Sequence, residues 1–383
     1  MPRRSCISFV ARVHRGVEWM RAIGLMSGTS LDGVDVALVA TDGETIFELG
    51  PVGYRPYAPE ERQVLRAALA EGRGLADRAS RPGVLEEAEA LVTRAHAEAV
   101  EAFLARHGIG RDTIDVVGFH GQTVLHRPEA RLTVQLGDGP ALARSLGIPV
   151  VYDFRAADVA AGGEGAPFVP VVHRALARRS GLPMPLVVVN IGGVANITFI
   201  GAGDMLIAFD TGPGNALLDD FVARRTGAPF DRDGALARAG RADPEVLREL
   251  MRHAYFARPA PKSLDRDAFS AASVEALSNE DGAATLVVFT IETIAVGIGM
   301  LPERPVLVVA AGGGARNPAI VEGLAERLGI PVRTADEIGW SADGLEAQAF
   351  AVLAVRSLRG LPLSFPGTTG VPEPVTGGVL AKP

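Results

Sequence analysis

Short apolar runs alternate with longer amphipathic stretches along this chain, which predicts alternating strands and helices. The apolar run 22–26 stops at small and polar residues and resumes at 34–40, a pattern that predicts a β-hairpin. A block rich in Ala, Glu and Arg over 59–107 predicts two helices interrupted near Pro82. Strands are predicted next at 116–119 and 132–136.

The second half of the chain repeats this order. Runs 186–190 and 196–200 predict another hairpin with a turn of small residues, and a strand over 205–209 stops at Asp210 before a helix. A strand at 306–310 precedes three glycines and a further helix. Two halves with the same order predict an α/β fold of two domains that face one cleft. Residues 161–170 are expected to connect the halves, and the Pro/Gly-rich tail 361–383 is expected to be irregular.

Composition narrows the class of protein. A chain of 383 residues is long enough for two domains, and its net charge of −7, with no basic stripe, argues against a nucleic-acid partner. The lone Cys6 allows neither an internal disulfide nor a thiolate metal site. We find no run of eighteen apolar residues, so no membrane span is expected. The apolar run within 1–19 is too short for a signal peptide, and these residues are predicted to be a disordered extension or a misassigned start.

The turn 28–35 can bind phosphate, because backbone amides and hydroxyls in a glycine-containing turn form a nest for oxyanions. Its carboxylates at Asp32 and Asp35 would tolerate phosphates only with a cation between them, and Mg²⁺ has that role beside nucleotides. A plain hairpin turn is the structural alternative. The glycines at 312–314 likewise fit either a close-lying ligand or a tight strand–helix turn.

Polar residues at the ends of predicted strands are the candidates for chemistry. Asp210 could deprotonate a nucleophile or cap the helix that follows. His120, Gln122, Arg155 and Asp158 suit a polyhydroxylated ligand, although a single buried histidine is more often structural. Glu346 lies on or beside the apolar stripe of a helix, so it needs a partner there.

Together these segments closely resemble the anhydro-N-acetylmuramic acid kinases of the actin/hexokinase/Hsp70 superfamily. The resemblance runs from about residue 21 to the end of the chain through seven collinear motifs, which occupy residues 24–35, 118–123, 153–163, 190–193, 209–215, 312–314 and 346–350.

The resemblance implies a fold of two ribonuclease-H-like domains with a central ATP/sugar cleft. Residues 21–170, completed by part of 355–383, would form the first domain, and 185–354 the second. It also implies that ATP is bound by Gly28, Thr29, Ser30, Leu31, Asp32, Gly33, Val34, Asp35, Gly192, Gly193, Gly212, Gly214, Asn215, Gly312, Gly313, Gly314 and Asn317. Mg²⁺ would be held through water by Asp32.

The implied reaction opens a 1,6-anhydro bridge with water and phosphorylates O6, which gives N-acetylmuramic acid 6-phosphate for cell-wall recycling. By motif position Asp210 would be the catalytic base, with Glu346 near the reacting water. The sugar would be bound by His120, Gly121, Gln122, Thr123, Arg155 and Asp158. A cytoplasmic location and a homodimer are further implications.

Two alternatives stay open at this point. A kinase for another anhydro-sugar, such as levoglucosan, would use the same turns and base, and an ATP-driven switch of the actin/Hsp70 type would need only the nucleotide residues. The chain also departs from the family pattern at 262–267, where Asp265 replaces a turn glycine and Asp267 replaces a glutamate, so the geometry of that loop stays an open point.

Overall fold

The computed structural model describes residues 12–14, 17–28, 30–264, 268–341 and 344–383. The chain divides into two compact units, residues 1–179 with 344–383 and residues 180–343. Each unit is an α/β body with its own hydrophobic core. This confirms the predicted fold class of two α/β domains.

The first unit is built on a mixed sheet with helices packed on it. Its strands are β1 (Arg12–His14), β2 (Val17–Met26), β3 (Gly33–Thr41), β4 (Ile46–Pro56), β5 (Val116–Phe119), β6 (Gln122–Arg127), β7 (Leu132–Leu136), β8 (Val150–Tyr152) and β14 (Val379–Ala381). Its helices are α1 (Pro59–Gly72), α2 (Leu85–His107), α3 (Gly139–Leu146), α4 (Ala156–Ala160), α5 (Pro170–Arg179), α11 (Leu345–Leu358) and α12 (Pro366–Thr369).

The second unit is smaller. Its strands are β9 (Leu186–Ile191), β10 (Val194–Ile200), β11 (Leu206–Pro213), β12 (Leu307–Ala311) and β13 (Val332–Thr334). Its helices are α6 (Ala216–Thr226), α7 (Ala235–Ala239), α8 (Pro244–Leu250), α9 (Asn279–Gly299) and α10 (Pro318–Leu328).

The two sheets share one strand order. In the second unit the order is β11-β10-β9-β12-β13, and the first unit has the corresponding β4-β3-β2-β5-β8, extended by β14. In both units the hairpin strands are antiparallel and the two strands that follow are parallel to the first. The repeated order explains why the two halves of the sequence show the same pattern.

Several predicted boundaries are corrected by the structure. The second domain was expected to reach residue 354, but the chain returns to the first unit at 344, because α11 packs on β2, β3 and β5. The tail was expected to be irregular, yet β14 pairs antiparallel with β8 and extends the sheet. The strand predicted to stop before Asp210 continues through Pro213.

Part of the predicted N-terminal extension is ordered strand. Residues 1–11 and 15–16 lie outside the described residues, but β1 pairs antiparallel with β2, with Val17 opposite His14. Strand β2 therefore begins three residues before Met20. Backbone pairing joins this segment to the sheet, and an apolar pattern does not predict such pairing.

Helix α9 is long and apolar enough to cross a membrane by length and composition. Of its most apolar eighteen-residue window, 78% is buried inside the structure, as expected for the central helix of a soluble domain. Phe289, Ile294 and Ile298 on this helix belong to the core of the second unit. Its apolar character is therefore explained by packing within that unit.

Candidate active site

The turn between β2 and β3 is closed by a hydrogen bond in which the Leu31 amide donates to the Gly28 carbonyl oxygen at 3.2 Å. Ser30 and Asp32 are exposed, and the Ser30 hydroxyl donates to Asp32 Oδ1 at 2.6 Å. Thr29 lies outside the described residues. The turn therefore presents a glycine backbone, a hydroxyl and a carboxylate to the solvent.

Three other members of the predicted phosphate turn have a structural role instead. Leu31 and Val34 are buried in the core. Gly33 is buried where a side-chain carbon would collide with the Arg55 carbonyl oxygen and the Tyr54 ring. These residues allow β4 to pack against the hairpin.

In the second unit the three predicted glycine segments lie together. Gly214 donates its amide to the Gly193 carbonyl oxygen at 2.9 Å, and Asn215 donates to the Gly192 carbonyl oxygen at 2.7 Å. A side-chain carbon at Gly313 would be 3.5 Å from Asn215 Nδ2. The parallel pairing of β9 with β12 brings the turns after these strands to one edge of the sheet.

A cavity of about 370 Å³ opens beside these glycines. It is lined by Asn215, Leu218, Asp219, Phe230, Asp231, Arg232, Asp233, Gly313, Arg316 and Asn317. The Phe230 side chain is 45% exposed, and the Arg232 guanidinium lies 5.4 Å from the centre of its ring. Such a flat apolar surface beside glycine backbone suits a planar base.

Two residues that were predicted to bind the nucleotide have structural roles. Asn317 is buried and caps α10, where its Oδ1 accepts from the Ala319 amide at 3.0 Å. Gly212 is buried on β11, and a side-chain carbon there would be 2.7 Å from the Thr293 Cβ on α9. Close packing of β11 on α9 therefore explains the glycine at 212 without a ligand.

Asp210 is half-buried on the edge strand β11. Its Oδ2 accepts a hydrogen bond from the Leu264 amide at 2.8 Å, and its own amide donates to the Lys262 carbonyl oxygen at 3.0 Å. Burial raises the pKa of its carboxyl to about 6, and the Leu264 amide opposes that rise. Among the described residues, Oδ1 has no hydrogen-bond donor, so it can accept a proton.

His120 and Arg155 form a hydrogen-bonded pair in the first unit. The Arg155 guanidinium donates to His120 Nε2 from Nε at 3.2 Å and from Nη2 at 2.9 Å. Burial and the neighbouring arginine hold the pKa of His120 well below its usual value, so the ring is neutral and its Nδ1–H donates to the Gly121 carbonyl oxygen at 2.7 Å. His120 therefore orients Arg155 and has no free ring nitrogen for a proton transfer.

Two predicted sugar ligands are buried and already paired. Asp158 accepts from the Gly165 amide and the Thr369 hydroxyl, both at 2.6 Å. Gln122 is fully buried, and its Oε1 accepts from the Ser27 hydroxyl at 2.7 Å. Their side chains fix the loops around the site, because a fully buried carboxylate or amide needs such partners. The half-buried Thr123 follows Gln122 on β6.

A second cavity, of about 290 Å³, lies at the carboxyl ends of β5 and β8. It is lined by Arg78, Ala79, Arg81, Phe119, His120, Gly121, Val134, Gln135, Leu136, Gly137, Tyr152 and Asp153. This end of parallel strands is where α/β sheets bind ligands. Its mixture of charged, amide and aromatic side chains suits a polar ring.

Glu346 lies in the first turn of α11. Helix α11 contacts the sheet at two glycines, since a side-chain carbon on Gly24 would collide with the Ala347 carbonyl oxygen and one on Gly118 with the Phe350 carbonyl oxygen. The Glu346 side chain keeps an exposed surface, but surrounding protein desolvates its carboxylate, which raises its pKa, and the Arg155 guanidinium opposes that rise.

The described residues offer no ready-made metal centre. No group of three or more His, Cys, Asp or Glu side chains among them is arranged to hold a metal ion. Magnesium commonly keeps several waters and takes only one or two carboxylates beside substrate phosphates. The exposed Asp32 in the glycine turn fits that weaker kind of binding, in which the nucleotide supplies most ligands.

Comparison with known proteins decides the family. A family model for anhydro-N-acetylmuramic acid kinase matches residues 20–383. The chain belongs to the anhydro-N-acetylmuramic acid kinase family. Its relatives of that name include proteins from Nitrobacter winogradskyi, 59% identical over 365 residues, and Rhodopseudomonas palustris, 60% identical over 365 residues. Each alignment covers 95% of this chain and 100% of the relative.

Solved structures are much less similar. An activator of 2-hydroxyisocaproyl-CoA dehydratase from Clostridium difficile matches with a TM-score of 0.44 and 12% identity, covering 89% of this chain and 96% of that one. A likeness of this size adds nothing to the family assignment. The family assignment therefore rests on the family model and the named relatives, and these confirm the resemblance found in the sequence motifs.

Members of this kinase family use ATP, and the structure shows family-motif residues in both units. The sequence did not single out Phe230, Arg232 and Arg78, which line the two cavities. Lys262 stands in the family segment noted at 262–267, and the structure shows that its backbone contacts Asp210. Phe230 is a large aromatic residue in a Gly/Pro/Asp-rich stretch, and that contrast was the available signal. Arg78 stands in a helix-rich block that gives no comparable sign.

Proposed function

We propose that this chain phosphorylates O6 of 1,6-anhydro-N-acetylmuramic acid with ATP while water opens the anhydro ring, and that Asp210 is the base. The family assignment supports the substrate and the reaction. The observation that supports the residue is a half-buried carboxylate with one oxygen fixed by an amide and the other without a donor among the described residues. N-Acetylmuramic acid 6-phosphate and ADP would be the products.

In the proposed step, Asp210 Oδ1 takes one proton from the attacking water. The water oxygen forms a bond to the anomeric carbon, and the bond between that carbon and O6 breaks. O6 then carries the electron pair that forms its bond to the γ-phosphorus, and the bond from this phosphorus to the β-phosphate oxygen breaks. The proton remains on Asp210, so atoms and charges balance.

We base the assignment of the ATP-binding residues on the second-unit cavity and on the glycine turns. We assign the adenine base to the face of Phe230, and the phosphates to the amide of Gly193 in the glycine turn between β9 and β10. When bound, Mg²⁺ neutralises charge on the transferred phosphoryl group. Asp32 would hold it through water, because this carboxylate is exposed and already aligned by Ser30.

The sugar is assigned to the first-unit cavity that His120 and Gly121 line. His120 orients Arg155 beside this cavity. Burial lowers the pKa of the Arg155 guanidinium to about 10, and the negative charges of Glu346 and Asp158 oppose that fall. Glu346 is assigned to the reacting water as a second carboxylate. A homodimer and a cytoplasmic location stay predictions from the resemblance.

Replacement of Phe230 by alanine is expected to raise the KM for ATP about tenfold, because stacking of one base on an aromatic ring contributes roughly 1–3 kcal/mol. The KM for the sugar should change little. Initial rates at varied ATP measure this effect. Met205→Ala is the matched control, since Met205 is equally exposed at 45% and does not line the cavity. An unchanged KM for ATP would remove Phe230 from the nucleotide site.

The reaction is tested by ADP release with no sugar, with 1,6-anhydro-N-acetylmuramic acid and with levoglucosan. We expect strong stimulation by the first sugar, together with formation of the 6-phosphate. Stimulation by levoglucosan alone would assign a different anhydro-sugar. The absence of stimulation by either would favour an ATP-driven switch.

The pH dependence of this stimulated rate tests the base. The folded-state pKa of Asp210 is raised to about 6, and the reaction needs the deprotonated form, so kcat is expected to be steady near pH 7–8 and to fall as the pH drops through about 6. A rate that stays constant down to about pH 4.5 would contradict a base with this pKa.

A further inference from the structure

Lys262 is a buried lysine with no carboxylate partner among the described residues. Its side chain is 6% exposed, and Nζ donates to the carbonyl oxygens of Tyr255 at 3.2 Å and Phe256 at 3.3 Å. Nζ also lies 4.7 Å from the centre of the Tyr255 ring and 5.8 Å from that of Phe209. A buried ammonium is costly unless it is paired in this way, so the position needs a reason.

The chain around Lys262 holds both ends of Asp210. The carbonyl oxygen of Lys262 accepts from the Asp210 amide at 3.0 Å, and two residues later the Leu264 amide donates to Asp210 Oδ2 at 2.8 Å. Segment 262–264 thus runs along the open edge of β11. The Leu264 bond fixes one carboxylate oxygen and leaves the other for the water proton.

Tyr255, which accepts a hydrogen bond from Lys262, also contacts Asp210. The Tyr255 hydroxyl donates to the Asp210 carbonyl oxygen at 2.6 Å, while the Tyr255 backbone accepts from Lys262. Lys262 therefore ties the 255–256 turn to segment 262–264, with Asp210 between them. Removal of the Lys262 ammonium would remove both hydrogen bonds from this side chain to the 255–256 turn.

We propose that Lys262 is a positioning residue for Asp210: its buried ammonium fixes segment 262–264 so that the Leu264 amide aligns the carboxylate of the base. This inference rests on the proposed function of Asp210 as the base. It also gives a reason for the lysine in the family segment at 262–267, whose altered residues Asp265 and Asp267 lie outside the described residues.

The titration of Asp210 reports this alignment. Among the described residues, Tyr255 interacts electrostatically with Asp210, while Lys262 contacts Asp210 through its backbone, and Arg258 acts on both Tyr255 and Lys262. The Leu264 amide opposes the rise that burial imposes on the pKa of Asp210, so loss of this bond should raise that pKa further. The rate would then need a higher pH to reach its plateau.

The test is the pH profile of kcat for Lys262→Met, which keeps the chain length and removes the charge. We expect the acid limb to move up by roughly one pH unit, which lowers kcat about twofold at pH 7 and about fivefold at pH 6, while the KM for ATP stays near the wild-type value. Lys382→Met is the control, because it removes the charge of an exposed lysine in the first unit and leaves every contact of Asp210 in place; its acid limb should stay near that of the wild type.

Each outcome decides the inference. A folded Lys262→Met enzyme with the wild-type acid limb would overturn it, whatever its thermal stability. If that variant does not fold, Lys262→Gln replaces it, since its side chain is uncharged and too short to repeat both hydrogen bonds, and again an unshifted limb overturns the inference. Failure of both variants to fold would make Lys262 a folding residue and would also overturn it.

The wild-type profile keeps this test separate from the proposed function. A wild-type enzyme without sugar-dependent ADP release, or without an acid limb near pH 6, contradicts the proposed function itself. A wild type that behaves as proposed, with no shift in the Lys262 variants, contradicts only the positioning role.

Discussion

Exchange of Asp210 for asparagine is expected to lower kcat for the anhydro-sugar by about 10²–10⁴-fold, because a positioned general base contributes that much to a rate. Asparagine keeps the size of the side chain and an oxygen that can accept the Leu264 amide. It cannot take the proton of the attacking water. Single-turnover assays of ADP and sugar phosphate measure the loss directly.

The same variant should bind ATP and fold normally. Burial disfavours the charged carboxylate of Asp210, as its raised pKa of about 6 shows, so the neutral amide is expected to leave the melting temperature at pH 7 unchanged or higher. A nucleotide-binding titration and a thermal melt supply these controls. Turnover like that of the wild type in a folded Asp210→Asn enzyme would rule out Asp210 as the base, and Asp158 would be tested next.

Replacement of Gly24 by alanine is expected to destabilise the first unit by about 3 kcal/mol or more, which lowers its melting temperature by roughly 6–12 °C. The added carbon would collide with the Ala347 carbonyl oxygen and the Ala351 amide nitrogen of α11. These are backbone atoms of a buried helix, so no side-chain rotation relieves the clash. The whole helix must move away from β2.

That movement should also affect activity, since Glu346 stands in the first turn of α11. We expect the remaining folded protein to lose kcat more than its affinity for ATP. Gly299→Ala is the matched control, because no atom lies within 4 Å of a side-chain carbon at that position. Its melting temperature should equal or exceed that of the wild type. Equal melting temperatures for Gly24→Ala and the wild type would contradict the close packing of α11.

The strands that the sequence predicts well are those with an uninterrupted apolar run. The runs that became β5, β9 and β12 are buried almost throughout, and a glycine follows each of them within two residues, so the sequence pattern predicted both the strand and its end. Strand β4 was not predicted, because its residues alternate between partly exposed and exposed positions at the sheet edge. Strand β14 was missed because backbone pairing with β8, and not side-chain burial, defines it.

The candidate site shows the same division. Glycine turns and Asp210 could be selected from the sequence because their neighbours are unusual and the motifs occur in a family order. The structural roles of the candidate residues could not be predicted in this way. Gly33 and Gly212 allow close packing, and Asp158 and Gln122 are buried and hydrogen-bonded. Whether a polar side chain faces a ligand depends on burial, which adjacent residues in the sequence do not determine.

The α/β class, the two similar halves and the family could be predicted from the sequence, and so could the selection of Asp210 as the proposed base, because each of these depends on local pattern or on motif order. The three-dimensional structure was needed to show that α11 belongs to the first unit, that His120 and Arg155 are hydrogen-bonded, and that the Lys262 backbone contacts Asp210. These contacts join residues that are distant along the chain. They depend on where the backbone lets two segments approach, which no pattern within either segment records.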